Sequence, residues 1–292
     1  MIWLILGTII PSMLICSSAA WLLRRYGPRL GLVDRPGGHK THAAAVPTAG
    51  GLAIWLGVVL PLAVGQIVLW LVGDVPGRGY DVALPAVLPG IVAEHIGGLL
   101  QQSGRLWTLL GGGTLLMLLG LVDDRRGLNW KTRIVVQALV ALMMVRLGWR
   151  LSLFVDMPVL TGTISVLWIV GLVNSFNMLD NMDGLSAGVA AIAAAMLAVV
   201  MLTVPAAETS GPQLFVGGFL LVLVGSLLGF LIHNRPPARI FMGDAGSYLV
   251  GYFIAMATLS ATFAGDNLPR HAILAPLCVL AVPLYDTATV VF

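Results

Sequence analysis

The sequence predicts an all-α, polytopic integral membrane protein. Three observations predict it: the scarcity of charge, the spacing of long apolar runs, and the side on which the basic residues collect. Of 292 residues, 58% are hydrophobic and 10% charged, with a mean hydropathy of +0.96. A soluble domain carries roughly 25% charged residues because its surface must face water. So little charge leaves most of the surface to lipid, which excludes a disordered chain, a nucleic-acid module and a soluble two-domain enzyme. The net charge of +3 rests on 16 Lys and Arg with no basic run longer than two, so no nucleic-acid partner is expected.

A bilayer core of about 30 Å takes about 20 apolar residues per helix. Nine such runs follow one another, near 2–22, 49–73, 106–122, 132–149, 161–178, 185–204, 214–232, 246–263 and 272–292, the third and fourth being short. The first is a retained anchor and not a signal peptide. Although Ser17-Ser18-Ala19-Ala20 resembles a cleavage site, Arg24 and Arg25 follow the apolar run and no basic segment precedes it. Between the second and third, the 74–105 connection repeats Leu88, Ile91, Val92, Ile96, Leu99 and Leu100 at helical spacing. Glu94, His95, Gln101 and Gln102 lie among them, the pattern of a helix lying on the membrane interface. Gly111-Gly112-Gly113 has no following Lys-Ser or Lys-Thr, so it belongs to helix packing and not to a phosphate loop. Cys16, Cys278 and the methionines at 143, 144, 196 and 201 sit in apolar runs as core residues, without a disulfide framework. No internal repeat or linker divides the chain, which reads as one membrane domain over 1–292. Its last apolar run is still open at Phe292.

Orientation follows from the basic residues. With Met1 outside, the loops after odd-numbered spans hold Arg24, Arg25, Arg29, Arg35, Lys40, Arg125, Arg126, Lys131, Arg133, Arg235 and Arg239. The other side holds Arg78, Arg105, Arg146, Arg150 and Arg270, a division of 11 to 5 that places the N-terminus outside. The same parity brings Asp34, Asp123, Asp124, Asp180, Asp183 and Asp244 to the cytoplasmic side.

Four polar segments on that side can support chemistry. Asp34 to Gly51 mixes Lys40, His39 and His42 with Pro and Gly, either to neutralise a phosphate or to anchor at lipid headgroups. Asp123-Asp124 closes the third span, where mutual repulsion and the helix dipole both disfavour carboxylates. A divalent cation or a proton would relieve them, as would local pairing with Arg125 and Arg126. In Asn174 to Gly184, Asn177 and Asp180 share a helix face but Asn174 and Asp183 cannot, in a pattern open to metal coordination or to a plain helix end. In His233 to Ser247, Asp244 reads as the N-cap of the eighth span, able to coordinate as well. Phe241 there either stacks on a base or anchors at the interface. These residues fit a Mg²⁺-dependent enzyme of phosphorylated substrates. A cation transporter fits less well, because it would hold its charges near the midplane.

Together, Asp34 to Gly51, Asp123 to Arg133, Asn174 to Leu185 and Ile240 to Ser247 resemble, in order, the polyprenyl-phosphate N-acetylhexosamine-1-phosphate transferases. The resemblance implies transfer of a sugar 1-phosphate from a UDP-N-acetylhexosamine to undecaprenyl phosphate, releasing UMP, with Mg²⁺ or alternatively Mn²⁺. It implies a homodimer in the bacterial inner membrane, with catalytic loops in the cytoplasm. His39-Lys40-Thr41-His42 and Asp180 to Leu185 are similar to the branch using UDP-N-acetylglucosamine; the branch using UDP-N-acetylmuramoyl-pentapeptide is the alternative. By the same resemblance, Asp244 is the principal metal ligand and Asn177 a second. Asp123 and Asp124 lie near the lipid phosphate, one as general base or second metal contact. Arg133 and Lys131 hold the diphosphate, Asn174, Asp180 and Asp183 shape the pocket, and Lys40 and His42 stand at its mouth. Direct attack and an aspartyl-phosphate route both remain open. The family pattern continues past Pro283 and Asp286 into a loop rich in His and Arg and one further helix, so the chain is expected to lack that end.

Overall fold

Long apolar runs with few internal breakers dictate helices, and helices dominate the computed structural model of the chain. It describes residues 2–34, 45–72, 96–151, 157–203, 213–261 and 274–291. In order these are α1 (Ile2–Tyr26), β1 (Val33–Asp34), β2 (Val46–Pro47), α2 (Gly50–Val72), α3 (Ile96–Gln101), α4 (Ser103–Arg126) and α5 (Trp130–Arg146). There follow α6 (Pro158–Leu179), α7 (Leu185–Thr203), α8 (Leu214–Asn234), α9 (Gly243–Ser260), α10 (Ala275–Val279) and α11 (Ala281–Val291). The protein is thus an all-α, multi-pass membrane protein.

Six described helices, α1, α2, α4, α6, α7 and α8, are long and apolar enough to cross a bilayer. The other three expected spans depart from that picture, each for a physical reason. Helix α5 has 17 residues, so at 1.5 Å per residue it is about 26 Å long. Helix α9 opens on a polar turn and is buried from Ala245 through Leu259, which makes it the centre of the bundle and not a lipid-facing span. The last run is broken at Leu280 into α10 and α11. Pro283, one turn into α11, has no N–H to offer the carbonyl of Val279. Of the expected interfacial helix only α3 lies among the described residues; Leu88, Ile91, Val92, Glu94 and His95 fall outside them.

Without water inside the bilayer, helices associate through close packing and interhelical hydrogen bonds. Gly225 and Gly229, one turn apart on α8, lie against the backbone of Ile9 and Met13 on α1. The Ser12 hydroxyl on α1 lies 2.6 Å from both Gly57 O and Val222 O, with one proton to share between them, and so ties α1, α2 and α8 together. Trp55 donates to Thr114 and Trp168 to Thr258, joining α2 to α4 and α6 to α9. Two glycines of the run in α4 serve packing, as expected, Gly112 facing Tyr252 and Gly113 facing Phe253, whereas Gly111 faces open space. Met144 and Met201 are buried, whereas Met143 and Met196 face outward.

One end of the bundle gathers the C-termini of α1, α4, α6 and α8 and the N-termini of α2, α5, α7 and α9. Backbone bonds close it. β1 and β2 pair antiparallel, with Val33 opposite Pro47, and the Phe241 amide donates to Pro47 O at 2.8 Å. Gly50 and Gly51 then donate to Phe241 O and Met242 O at 3.0 Å each. Cation–aromatic pairs mark the rim: Arg25 over Trp21, Arg29 over Tyr26 and Lys131 over Trp130, with Arg105 over Trp149 at the opposite end.

Candidate active site

Helix α4 delivers Asp123 and Asp124 to the closed end, and the chain then turns through Gly127 with φ 63°. The turn brings the Leu128 amide back onto Asp123 Oδ1 at 2.7 Å. Asn129 caps α5 by accepting from the Lys131 amide, which places Arg133 one turn in, on the side facing α4. Arg133 Nη1 donates to Asp123 Oδ2 at 3.1 Å, and the Tyr248 hydroxyl of α9 donates to the same oxygen at 2.9 Å. The cation on Asp123 is therefore Arg133 from the next helix, while Arg125 and Arg126 are exposed at the end of α4.

Asp124 faces a different partner. Its carboxylate accepts from the Asp244 amide at 2.9 Å and the Ala245 amide at 3.2 Å, two of the free N–H groups in the first turn of α9. This corrects the expectation that Asp244 is the N-cap: Met242 occupies that position, Asp244 lies within the first turn, and the capping carboxylate comes from α4. The helix dipole favours a negative charge there. Gly243, at φ +69°, makes the approach possible, since a Cβ would stand 2.7 Å from Asp124 Oδ2.

The C-terminus of α6 completes the cluster. Asn177 Nδ2 donates to Asp244 Oδ1 at 2.6 Å and to Ser247 Oγ at 3.0 Å. One turn further along α9, Tyr248 links this helix to Asp123. Asp180, just beyond α6, accepts the Gly243 amide. Burial pushes the Asp180 carboxyl well above the usual carboxylate range, and the charges of Asp244 and Asp124 push it the same way. Asp183 Oδ2 accepts from the Ala238 amide at 2.9 Å, and Asn234 bridges the Gly184 amide to Ile240 O, so both fix the surrounding loop.

The structure thus brings Asp123, Asp124, Asn177, Asp180, Asp244 and Arg133 into one acidic cluster, with Asp183 beside it, while Phe241 is placed by its backbone bonds to Pro47 and Gly50. Asn174 stands one turn deeper, donating to Gln137 Oε1 at 2.6 Å and to Val170 O of its own helix at 2.8 Å. Lys131 points outward over Trp130. Lys40 and His42 lie outside the described residues. Sequence reasoning missed Tyr248, Gln137, Ser247 and Asn234. Gln137 left a legible signal, a lone amide in an apolar span. Tyr248 left a fainter one, an aromatic hydroxyl one turn beyond Asp244.

Among the described residues, no three Asp, Glu, His or Cys side chains form a ready-made metal site. The donor set nevertheless suits a hard cation. Mg²⁺ is ordinarily held by one or two carboxylates plus the phosphates of its substrate, and Asp244, with Asn177 beside it, offers one such carboxylate.

A helical membrane bundle with an acidic, oxygen-rich cluster at one end is the class that fold and site define. Residues 106–262 match the family model described as glycosyl transferase family 4, and the chain belongs to that family. It is 31% identical over 275 residues to a probable undecaprenyl-phosphate N-acetylglucosaminyl 1-phosphate transferase of Bacillus subtilis, covering 91% of this chain and 65% of the relative. It is 33% identical over 256 residues to the decaprenyl-phosphate N-acetylglucosaminephosphotransferase of Mycobacterium tuberculosis, covering 82% and 56%. With a phospho-N-acetylmuramoyl-pentapeptide-transferase of Chlamydia muridarum the identity is 29% over 288 residues, covering 86% and 72%. The chain therefore spans a little under two thirds of the Bacillus relative and a little over half of the mycobacterial one.

Proposed function

We propose that this protein transfers N-acetylglucosamine 1-phosphate from UDP-N-acetylglucosamine to undecaprenyl phosphate, giving the lipid diphosphosugar and UMP. The single observation that carries this reading is the convergence of four carboxylates, Asn177 and Arg133 at one end of a family-4 membrane bundle. The names of the Bacillus and mycobacterial relatives both support the sugar and a polyprenyl phosphate acceptor, and the Bacillus name supports undecaprenyl phosphate in particular.

In the reaction, an oxygen of the lipid phosphate bonds to the sugar-bearing phosphorus of the donor. The bridging P–O bond breaks and UMP leaves with its electron pair. Two anions must meet, so neutralising their charge is the main catalytic task. Mg²⁺, held by Asp244 with Asn177 turned to present its amide oxygen, would supply positive charge to the phosphates. Arg133, its side chain 31% exposed, keeps N–H groups to offer a phosphate beyond the one donated to Asp123. Asp124 holds the first turn of α9 in place, and so holds Asp244. The polar cluster lies at the bundle end and not at midplane, which favours an enzyme over a transporter.

The test incubates detergent-purified protein with undecaprenyl phosphate, Mg²⁺ and radiolabelled UDP-N-acetylglucosamine, with UDP-N-acetylmuramoyl-pentapeptide in a parallel reaction. Labelled lipid and UMP are expected with the first donor. Asp244→Ala should lower the rate at least about 100-fold, the scale of losing a main electrostatic contributor. Product with only the second donor would reassign the sugar. Flux of ions into proteoliposomes without UMP would replace the transferase by a transporter.

A further inference from the structure

Tyr248 has no part in the chemistry so far, yet its hydroxyl lies at the centre of the charged contacts. The side chain is 1% exposed, and the hydroxyl lies 2.9 Å from Asp123 Oδ2 and 3.5 Å from Arg133 Nη1. Three donors from three places therefore converge on Asp123: the Leu128 amide, the Arg133 guanidinium and the Tyr248 hydroxyl. Tyr248 and Leu128 are held by α9 and by the turn after α4, so together they fix the plane of the carboxylate. That plane sets the direction in which the half-exposed guanidinium points.

We propose that Tyr248 is a positioning residue: by hydrogen-bonding Asp123 it locks the Arg133 guanidinium in the orientation that receives a phosphate group. The catalytic part of this proposal rests on the transferase reading above; the lock itself does not. A long arginine side chain has much rotamer freedom, and fixing it beforehand lowers the entropy cost of binding an anion. Lys131, two residues away, shows the contrast: it has no such lock and lies outward over Trp130. Asp123 on this account anchors Arg133, a task apart from that of Asp124, which caps α9.

Two readouts on Tyr248→Phe test the proposal, and one needs no turnover. In protein carrying ¹⁵N-arginine, the Arg133 guanidinium signal is identified by its loss in Arg133→Lys. Wild type should show slowly rotating, resolved Nη–H groups for Arg133, and Tyr248→Phe should average them. Unchanged Nη signals in Tyr248→Phe would overturn the lock whether or not the protein is a transferase. In the transferase assay, Tyr248→Phe should raise KM for a phosphate-bearing substrate about tenfold with a smaller change in kcat, the scale of one hydrogen bond to a charged group. In an Arg133→Lys background the same substitution should change KM less than twofold, because the group it acts through is gone. An equal effect in both backgrounds, with Nη signals averaged, would show that Tyr248 serves the fold and not Arg133. An untouched thermal midpoint in Tyr248→Phe separates either result from misfolding. Wild type without UMP release would count against the transferase reading and leave the NMR result to decide the lock.

Discussion

A single carboxylate, Asp124, shows how residue chemistry and helix structure become one feature. It accepts from two amides at the start of α9 while standing among Asp123, Asp180 and Asp244. Opposing influences therefore act on it: burial first, and then its acidic neighbours, oppose its charge, while the two amides favour it. Asparagine keeps an acceptor for one amide and removes the repulsion; alanine leaves both amides unpaired. Asp124→Ala is expected to fall about 1–3 kcal/mol below Asp124→Asn in stability, with Asn close to wild type. Thermal unfolding in detergent without divalent metal measures the order. Equal midpoints for Ala and Asn would mean that the cap contributes nothing. A midpoint for Asn well below wild type would mean that the charge itself is what α9 requires.

At the scale of the element, the approach of α4 to α9 decides whether the site forms. Gly120 lies directly against the backbone of Asp244 and Ala245, so any Cβ there must push the helices apart. Gly111, on the same helix, has open space around it. The identical change to alanine therefore has opposite expected signs. Gly111→Ala should be neutral or stabilising by up to about 1 kcal/mol, since alanine has the better helix propensity. Gly120→Ala should cost about 1–3 kcal/mol and shift Asp123 and Asp124 away from α9, with loss of transferase activity. Melting temperature and UMP release for the pair check it. Equal effects at both positions would refute the close approach. Sequence periodicity makes the helices themselves legible, because apolar runs of bilayer length have few other solutions. It misplaces the cap of α9 because an N-cap is normally sought next to its own helix, whereas this one comes from Asp124, 120 residues away. It likewise counts α9 as an ordinary span, since hydropathy cannot distinguish a helix surrounded by protein from one surrounded by lipid. The paired aspartates, Asn177 and Asp244 were legible as a set because all sit at the ends of spans on one side. Gln137 showed only as a lone amide in an apolar span and Tyr248 more faintly still, because what they bind depends on which helices become neighbours.

At the scale of the whole molecule, charge decides which way the bundle faces. Among the described residues, Arg24, Arg25, Arg29, Arg125, Arg126, Lys131, Arg133, Arg235 and Arg239 lie at the end that holds the acidic cluster, and Arg105, Arg146 and Arg150 at the other. By the positive-inside rule, nine against three predicts that the end holding the cluster faces the cytoplasm. The proposed chemistry requires the same orientation, because a charged nucleotide sugar does not cross a bilayer unaided and the carboxylates must face the compartment that supplies it. Both arguments predict the outcome of one labelling experiment. With Cys16 and Cys278 replaced by alanine, single cysteines are introduced as Arg239→Cys and Arg150→Cys, both at exposed positions of opposite ends. In intact cells a membrane-impermeant maleimide should label the cysteine at 150, and the one at 239 only after the membrane is opened. Reversed labelling would leave the acidic cluster facing away from any cytoplasmic donor, and the transferase proposal would fall with the orientation. Labelling of both in intact cells would show two orientations in one membrane, which nine basic residues at one end should forbid.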